Sequence, residues 1–291
     1  MQSPQVKQIG KLVLITATML LGACSAVQKS GSAVFGPGEQ EAQLTPRAST
    51  YQDLKSLPAP RGKIVATVYN FRDQTGQYKQ APASSFSTAV TQGATAMLIG
   101  AMQDSGWFIP LEREGLQNIL TERKIIRAAQ KKPNTPINNE IELPSLLAAN
   151  VMLEGGIIGY DSNIKTGGLG AKYFGIGASE QYRVDQVTVN LRAVDVRTGR
   201  ILHSVMTTKS VMSREISTGV FRFIEFKRLL ELEAGTTSNE PKQLCVLSAI
   251  ESALLHLIAQ GVKDKSWGLK SPKMIDSPVL KHYMNAQHEL I

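Results

Sequence analysis

Two long stretches of this chain, residues 157–196 and 197–236, have the pattern of β-strands and almost no helix signal. Each is about 40 residues long, so a hairpin made from it has arms of nearly 20, whereas a membrane-crossing β-strand needs about 9–11. The arms are therefore long enough to cross a bilayer and still extend into a soluble domain. Residues 220–226 interleave aromatic and charged residues, as a strand between lipid and a polar lumen would. A half-buried edge of a soluble sheet has the same pattern, so both structures stay open.

The first stretch contains a change of alternation near Asp185. Val187 and Leu191 share one parity, whereas Tyr182 and Val184 lie on the other. A slip of one residue moves the apolar set of a strand to its opposite face. A strand half in lipid and half in a soluble sheet would need such a slip, and a β-bulge alone would also explain it.

The N-terminus has the order of a bacterial secretion signal. Residues 1–11 carry two lysines and no acid, residues 12–21 form an uncharged and mostly apolar run of ten, and small residues precede Cys24. The run is too short for a transmembrane helix, which needs about 20 residues. The alternatives are an ordinary signal peptide with an incidental cysteine and a buried helix of a cytosolic protein.

Leu21-Gly22-Ala23-Cys24 also resembles the lipobox of bacterial lipoproteins. The resemblance implies that residues 1–23 are a signal peptide that is removed, and that Cys24 carries S-diacylglycerol and an N-acyl chain. No other cofactor is predicted. Several acyl chains, at about 0.8 kcal/mol per buried CH₂, form a stable anchor. Ser25 follows the cysteine in place of Asp, which by resemblance to enterobacterial lipoproteins favours the outer membrane over the inner one.

Charge and composition argue against nucleic acid as a partner. The formal net charge is +8, and loss of Lys7 and Lys11 with the signal leaves 30 basic against 24 acidic residues without a basic cluster. Aromatic residues make up only 6% of the chain, too few to suggest a platform for stacked bases. With Cys24 lipidated, Cys245 is a lone thiol, and we expect it to pack in the core as a small hydrophobic residue.

The mature chain begins with a tether and a compact α/β unit. Residues 24–60, rich in Ser, Gly, Ala and Pro, are predicted to be an extended, lipid-anchored tether. Residues 61–156 form the first part of the domain, with a polar loop at 77–86. Within them the pattern predicts a strand at 63–71, a helix at 87–103 with Ser87 as N-cap, a strand at 107–111, a helix at 113–130 and a strand at 151–160.

The end of the chain has one strong helix signal. An apolar stripe after Pro241 predicts a packed core helix within residues 237–270, closed by Gly261. Residues 271–291 are polar, and we expect them to form a loosely ordered tail.

No catalytic constellation is visible in the sequence. The four histidines form no HxxxH or HExxH pair, so no metal site is predicted. Gly168-Leu169-Gly170 and Gly175-Ile176-Gly177 lack the spacing and the following helix of a phosphate loop. The acidic pairs at 112/114 and 231/233 can be assigned to no pocket. An enzyme is therefore not expected.

Ordered blocks along the chain resemble one known family. They lie at residues 68–71, 75–77, 107–113, 115–118, 122–129, 154–155, 158–160, 173–178, 219–224 and 237–241. The similarity spans roughly residues 45–270, and the lipobox at 21–24 is a separate match. The blocks resemble the CsgG family of outer-membrane lipoprotein channels, which secrete curli amyloid subunits.

The resemblance implies an α+β fold, in which a periplasmic three-layer α/β domain sends two long β-hairpins, 157–196 and 197–236, into an oligomeric transmembrane β-barrel. It implies a homo-oligomer, nonameric in the family, located in outer-membrane lipid. The expected partners are curli subunits as cargo, a periplasmic capping protein and a surface accessory factor. The expected function is passive, ATP-independent secretion of unfolded polypeptide. The alternative is a lipid-anchored periplasmic binding or assembly protein that forms no pore.

In the family, a loop narrows the pore with a ring of Tyr, Asn and Phe. Alignment on Thr75-Gly76-Gln77 and Pro82-Ala83-Ser84 puts these positions at Ala81, Ser85 and Phe86. The resemblance therefore implies a pore constriction in which only the phenylalanine is retained, giving a wider and less polar ring. Without the resemblance, Phe86 would be interpreted as a core residue at the start of a helix.

Overall fold

The periodicities of the chain produce short strands and helices in alternation, then four strands and a long helix. The computed structural model describes residues 44–79, 87–130, 143–167, 180–216, 220–224 and 241–286. From Arg47 onward the chain is one compact unit. Its elements are α1 Thr50–Lys55, β1 Ile64–Thr67, β2 Phe71–Asp73, α2 Ala94–Ser105, β3 Phe108–Leu111, α3 Leu116–Gln130, β4 Val151–Gly167, β5 Glu180–Asp195, β6 Ile201–Ile216, β7 Val220–Ile224, α4 Pro241–Lys263, a 3-10 helix Pro272–Asp276 and α5 Pro278–Asn285.

All strands belong to one mixed sheet of seven strands. Their order is β3-β1-β4-β5-β6-β7, with β2 beside β4. β1 is parallel to β3 and β4, and β2 is parallel to β4, whereas β4 to β7 are antiparallel to one another in turn. Short parallel strands joined through helices, next to an antiparallel meander, make the fold α+β, which confirms that prediction. Within the described residues, the sheet of a single chain is open.

Helix α4 lies at the centre of the core. It packs against β5 and β6 and against α1, α2 and α5. The stripe predicted from the sequence is buried, each residue at most 6% exposed: Leu247, Ile250, Leu254, Leu257 and Ile258. Within the described residues, α4 is the one helix long and apolar enough to cross a membrane, and 83% of its most apolar stretch is buried in the protein. The prediction of a packed core helix is confirmed.

Gly261 does not close this helix, contrary to the prediction, because α4 continues to Lys263. A Cβ on Gly261 would lie 2.4 Å from Cε3 of Trp267, which is far inside contact distance. The missing side chain therefore makes room for the buried indole ring, whose neighbours Phe108 and His203 meet it edge to face. The chain turns only at Lys265, where φ is 65°.

Helix α1 lies inside the segment that was predicted to be an extended tether. Leu54 of this helix is fully buried. Just after α1, the carbonyl of Pro58 accepts a hydrogen bond from the indole nitrogen of Trp107 at 2.9 Å. The prediction of a tether up to residue 60 is therefore wrong at its C-terminal end, because residues 50–58 are packed on the core.

The C-terminal segment is also folded, which corrects the prediction of a loosely ordered tail for residues 271–286. Ser277 caps α5 by accepting a hydrogen bond from the backbone N–H of Leu280 at 3.4 Å. Leu280 and Tyr283 are buried, and α5 packs against α4. Two apolar residues three positions apart are enough to attach this short helix, although the segment as a whole is polar. Residues 287–291 lie outside the described part of the chain.

Two predicted element boundaries are wrong for local reasons. The strand predicted at 63–71 is split into β1 and β2. The helix predicted from Ser87 begins at Ala94, because hydroxyl groups before it bond the backbone in a non-helical conformation: Thr88 Oγ1 donates to the carbonyl of Val90, and Thr91 Oγ1 accepts from the N–H of Gly93.

The helical cover of the sheet is formed chiefly by α2 and α4, which pack on each other. Helix α3 contributes no buried residue. The third layer that the family resemblance implies stays a prediction.

Candidate channel-forming hairpins

The strands β4 to β7 form the candidate site. β4 pairs with β5 along its whole length, β5 with β6 over Tyr182–Val194, and β6 with β7 over Met212–Ile216. The 17 residues of β4 at about 3.3 Å each give a strand of about 55 Å, well above the roughly 30 Å of a bilayer's hydrocarbon core. The two stretches predicted as hairpins are thus paired, antiparallel strands in the described residues.

The base of these strands has two different faces. The odd-numbered residues of β5 from Val187 to Ala193 are fully buried on the side where α4 packs. On the opposite face, the hydroxyl oxygens of Thr188 and Thr208 are hydrogen-bonded at 3.0 Å, and Arg192 forms an ion pair with Glu154 at 3.6 Å. The base therefore alternates between apolar core and polar surface, as a half-buried soluble sheet does.

The cover provided by α4 begins near Cys245. The thiol donates to the carbonyl of Lys209 at 3.2 Å and lies 3.9 Å from the carbonyl oxygen of Asp185. Burial, with the charge of Asp185 as a smaller effect, raises the pKa of Cys245 to about 12, so the thiol stays protonated. Cys245 is fully buried, which confirms its predicted place in the core.

Strand pairing continues past the level of Cys245. Beyond the row Ser162–Asp185–Val211, residues 163–167 pair with 180–184, and residues 212–216 pair with 220–224. Four strands therefore extend beyond the row where the cover of α4 begins.

Asp185 lies at the point where the alternation changes in the sequence. It is fully buried on the parity of Val187 and accepts a hydrogen bond from the hydroxyl of Tyr160 at 2.8 Å. The pairing of β5 is uninterrupted at this residue, and the bulge lies in β4 between Ile157 and Gly159. The described pairing therefore has no β-bulge at Asp185, which is a buried polar residue in regular register. A strand that is partly in lipid stays a prediction for the other parity of Tyr182 and Val184.

Gly155 permits a very close approach of β4 and β5. Its φ is 151°, and a Cβ at this position would lie 2.0 Å from the backbone carbonyl oxygen of Asn190. No residue with a side chain fits here. The base of the first hairpin thus depends on a glycine at this row.

Of the other groups singled out in the sequence, Gly168-Leu169-Gly170, Gly175-Ile176-Gly177 and the acidic pair at 231/233 lie outside the described residues. Oε1 of Glu112 accepts a hydrogen bond from the N–H of Gly115 at 2.6 Å, which fixes the turn before α3. A groove of about 260 Å³ beside Tyr69 contains Arg113, whose guanidinium donates to the carbonyls of Glu112 and Leu147 at 2.8 and 2.7 Å. Within the described residues, no group of three His, Cys, Asp or Glu could hold a metal ion.

The sequence that forms the meander and its α+β base matches one family model. Residues 47–287 match the family model described as "Curli production assembly/transport component CsgG". The chain belongs to the CsgG family. It is 54% identical over 275 residues to the curli production assembly/transport component CsgG of Escherichia coli strain K12, covering 94% of this chain and 96% of that relative. CsgG of Salmonella typhimurium strain LT2 matches with the same identity and coverage. The resemblance to CsgG is thereby confirmed.

Some solved structures are similar at much lower identity. Protein CT253 of Chlamydia trachomatis is 14% identical, with a TM-score of 0.36, covering 67% of this chain and 96% of that chain. The PelC dodecamer of Paraburkholderia phytofirmans is also 14% identical, with a TM-score of 0.25, covering 68% and 90%.

The residues assigned from CsgG to the constriction and the lipid anchor stay predictions. Ala81, Ser85, Phe86 and Cys24 lie outside the described residues. Their positions rest on the sequence resemblance alone.

The structure describes both ends of the predicted constriction loop at 77–86, and backbone hydrogen bonds connect them. The N–H of Lys79 donates to the carbonyl of Ser87, and the N–H of Ala89 donates to the carbonyl of Gln77, both at 2.8 Å. The described residues on the two sides of 80–86 are therefore adjacent to each other. The loop has a fixed base directly after β2.

Asp73 stabilises this base, and it was not among the predicted site residues. Its Oδ1 accepts from the N–H and hydroxyl of Thr75 at 2.9 and 2.7 Å, and its Oδ2 accepts from the amide of Gln92 at 3.2 Å. Asp-x-Thr is a turn signal in which the carboxylate bonds the backbone two residues on. That signal in Asp73-Gln74-Thr75 was available in the sequence.

Proposed function

We propose that this chain forms an oligomeric outer-membrane channel that exports unfolded curli subunits. Membership of a family named for curli production, assembly and transport supports the cargo. The observation that carries the pore is the four-stranded meander that continues past the level where the cover of α4 begins. A strand extension beyond the helical cover of the core is expected of a sheet that enters a membrane, and it is not required in a helical protein or a soluble β-sandwich.

The two outer strands of the meander support assembly into a ring. β2 pairs with β4 only as far as Ile157, and beyond this point the register in the described residues joins β4 to β5 alone. β7 is the last strand at the other edge. Unpaired strand edges are not tolerated in lipid, so neighbouring copies have to supply the partners. With four strands per copy, nine copies would give a barrel of about 36 strands, within the known range.

Helix α3 supports the same assembly from the soluble side. It has apolar residues at helical spacing, including Leu116, Ile119 and Ile126, yet none of its residues is buried in one chain. An amphipathic helix with an apolar stripe normally packs against a partner. A neighbouring copy in a closed ring is the partner that symmetry provides.

The proposed location follows from the N-terminus. Removal of residues 1–23 and lipidation of Cys24 would anchor the chain in the outer membrane, with the α/β unit in the periplasm. Transport there is passive, since the outer membrane offers neither ATP nor a proton gradient. An unfolded chain confined in the periplasmic vestibule gains conformational entropy on release, which would give export its direction. A periplasmic capping protein would provide the confinement, and a surface factor would receive the curli subunits.

The constriction is proposed at Ala81, Ser85 and Phe86, on the loop whose base is closed next to β2. Each copy would contribute one such loop to a ring. Because Ala81 and Ser85 are small, Phe86 would be the residue that sets the narrowest width.

Single-channel conductance in a planar bilayer tests both parts of the proposal. The detergent-purified mature protein is compared with its Phe86→Ala variant. Steady open steps that become larger in Phe86→Ala would support the channel and its constriction. Steps of equal size in both proteins would keep the channel and refute the position of the constriction. Extraction as a monomer without conductance would instead favour a lipid-anchored periplasmic protein.

A further inference from the structure

A buried carboxyl group joins helix α1 to the core helix. Glu251 on α4 is 0% exposed. The hydroxyl of Thr50, the first residue of α1, donates to its Oε2 and lies 3.5 Å from Oγ of Ser248. Within the described residues, no donor reaches Oε1 of Glu251. The carboxyl group is thus enclosed with a single direct hydrogen-bond partner.

The basic residues near α1 form ion pairs with a carboxylate other than Glu251. Arg47 and Lys55 form ion pairs with Asp104 at 3.3 and 3.1 Å. An ionised carboxylate that is buried without a paired cation is strongly disfavoured, so such a group tends to hold its proton. Burial accordingly raises the pKa of Glu251, although the Thr50 hydrogen bond and the charge of Arg47 oppose the shift.

We propose that Glu251 is a proton-dependent latch, which holds α1 on the core when it is protonated and loosens α1 when it is ionised. α1 is the first helix after the segment that leads from Cys24, and Thr50 lies 26 residues beyond that cysteine. The latch would therefore set how firmly the domain is joined to its tether. Only this last consequence rests on the proposed lipid anchor.

Helix α1 is short, so few contacts hold it. Besides Thr50 they are the buried side chain of Leu54, the ion pairs of Asp104 and a hydrogen bond from the hydroxyl of Tyr283 to Oδ2 of Asp53 at 2.6 Å. The titratable or charged groups around Glu251 and α1 are Arg47, Tyr51, Asp53, Lys55, Asp104, His256 and Tyr283. Any pH dependence that does not come from Glu251 belongs to these groups.

The sign of the pH effect follows from the raised pKa. Below the pKa of an exposed glutamic acid, about 4.3, the carboxyl is protonated whether α1 is docked or open, and the latch is fully closed. As the pH rises from there toward the raised pKa of the docked state, the open state loses its proton first. The opening equilibrium then grows by up to tenfold per pH unit. Above the raised pKa both states are ionised, and the opening equilibrium levels off.

Hydrogen exchange of the backbone amides in residues 50–57 tests the latch. Full-length mature protein is measured from pH 4 to pH 8, with correction for the chemical exchange rate at each pH. We expect protection to fall with rising pH in the wild type and to be constant in Glu251→Gln, which keeps the hydrogen bond but cannot ionise. Glu122→Gln, at an exposed position of α3, is the matched control and should follow the wild type. Equal slopes in wild type and Glu251→Gln would overturn the proposal, as would a flat wild-type profile.

An infrared titration of the wild type can refute the proposal even where Glu251→Gln does not fold. A buried protonated carboxyl gives a C=O stretch distinct from that of carboxylates. In the wild type this band should persist at pH values where exposed glutamic acids are ionised, and it should be missing from folded Glu251→Gln. Loss of all such absorption by pH 5 would refute a protonated latch.

Discussion

Replacing Gly155 by alanine should force β4 and β5 apart at the base of the first hairpin. The added Cβ would lie 2.0 Å from the carbonyl oxygen of Asn190 and 2.9 Å from its carbon. Because both are backbone atoms, no change of rotamer relieves the overlap, and the strands have to separate locally. Loss of two ladder hydrogen bonds between these strands would cost about 1–3 kcal/mol each. The φ of 151° adds about 1–3 kcal/mol for a residue with a side chain.

The sum is about 3–9 kcal/mol, a large part of the roughly 5–15 kcal/mol that stabilises an ordinary domain. Urea unfolding of the detergent-purified mature protein measures the loss. Gly159→Ala is the control, since its Cβ would lie 3.3 Å from the side-chain Cβ of Thr188, and it should stay within about 1 kcal/mol of wild type. If Gly155→Ala unfolds at the same urea concentration as Gly159→Ala, the clash argument is wrong.

Two further predictions concern the core. Gly261→Ala should lower the free energy of unfolding by about 1–3 kcal/mol through overpacking against Trp267, and the loss should shrink in a Trp267→Leu background; an unchanged thermal midpoint would contradict it. Cys245 should resist thiol reagents at pH 8 until the protein unfolds. Because its pKa of about 12 exceeds the roughly 8.5 of an unfolded thiol, stability should fall as the pH rises above about 8.5. Cys245→Ala should make that slope shallower, and the raised pKa of Tyr283 should account for a remaining slope at higher pH. Rapid labelling of folded protein would refute the burial argument.

The elements that the sequence predicted well are those with long periodic signals. The stripe of α4 repeats over several turns, and β5 alternates over most of its length, so the period identifies each element directly. The relation to CsgG could be found because blocks as far apart as residues 68–71 and 237–241 keep the order of one family. Contacts between residues that are far apart in the sequence leave no periodic signal, so they could not be predicted in this way.

The failures lie where a few tertiary contacts outweigh local composition. Helix α1 has six residues and α5 has eight, and both lie in polar stretches of the sequence. Each helix is attached to the core through one or two buried side chains, such as Leu54 and Tyr283. The buried pair of Asp185 and Tyr160 spans 25 positions along the chain, so alternation alone could not separate it from a bulge. The proposed constriction depends on an alignment, and no local pattern at Phe86 would have placed it in a pore.

The continuity of β4 has a mechanical consequence. One strand, Val151–Gly167, is bonded at its start to the parallel strands of the core and at its end to the meander. The loop at 80–86 starts from β2, which lies beside the same strand. In the proposed channel, the wall and the constriction would therefore be attached to the same continuous strand, whose one irregularity in pairing with β5 is the bulge between Ile157 and Gly159. The diameter of such a ring would be set by the number of copies that close it. A wider pore would require an additional copy rather than a bend within one copy.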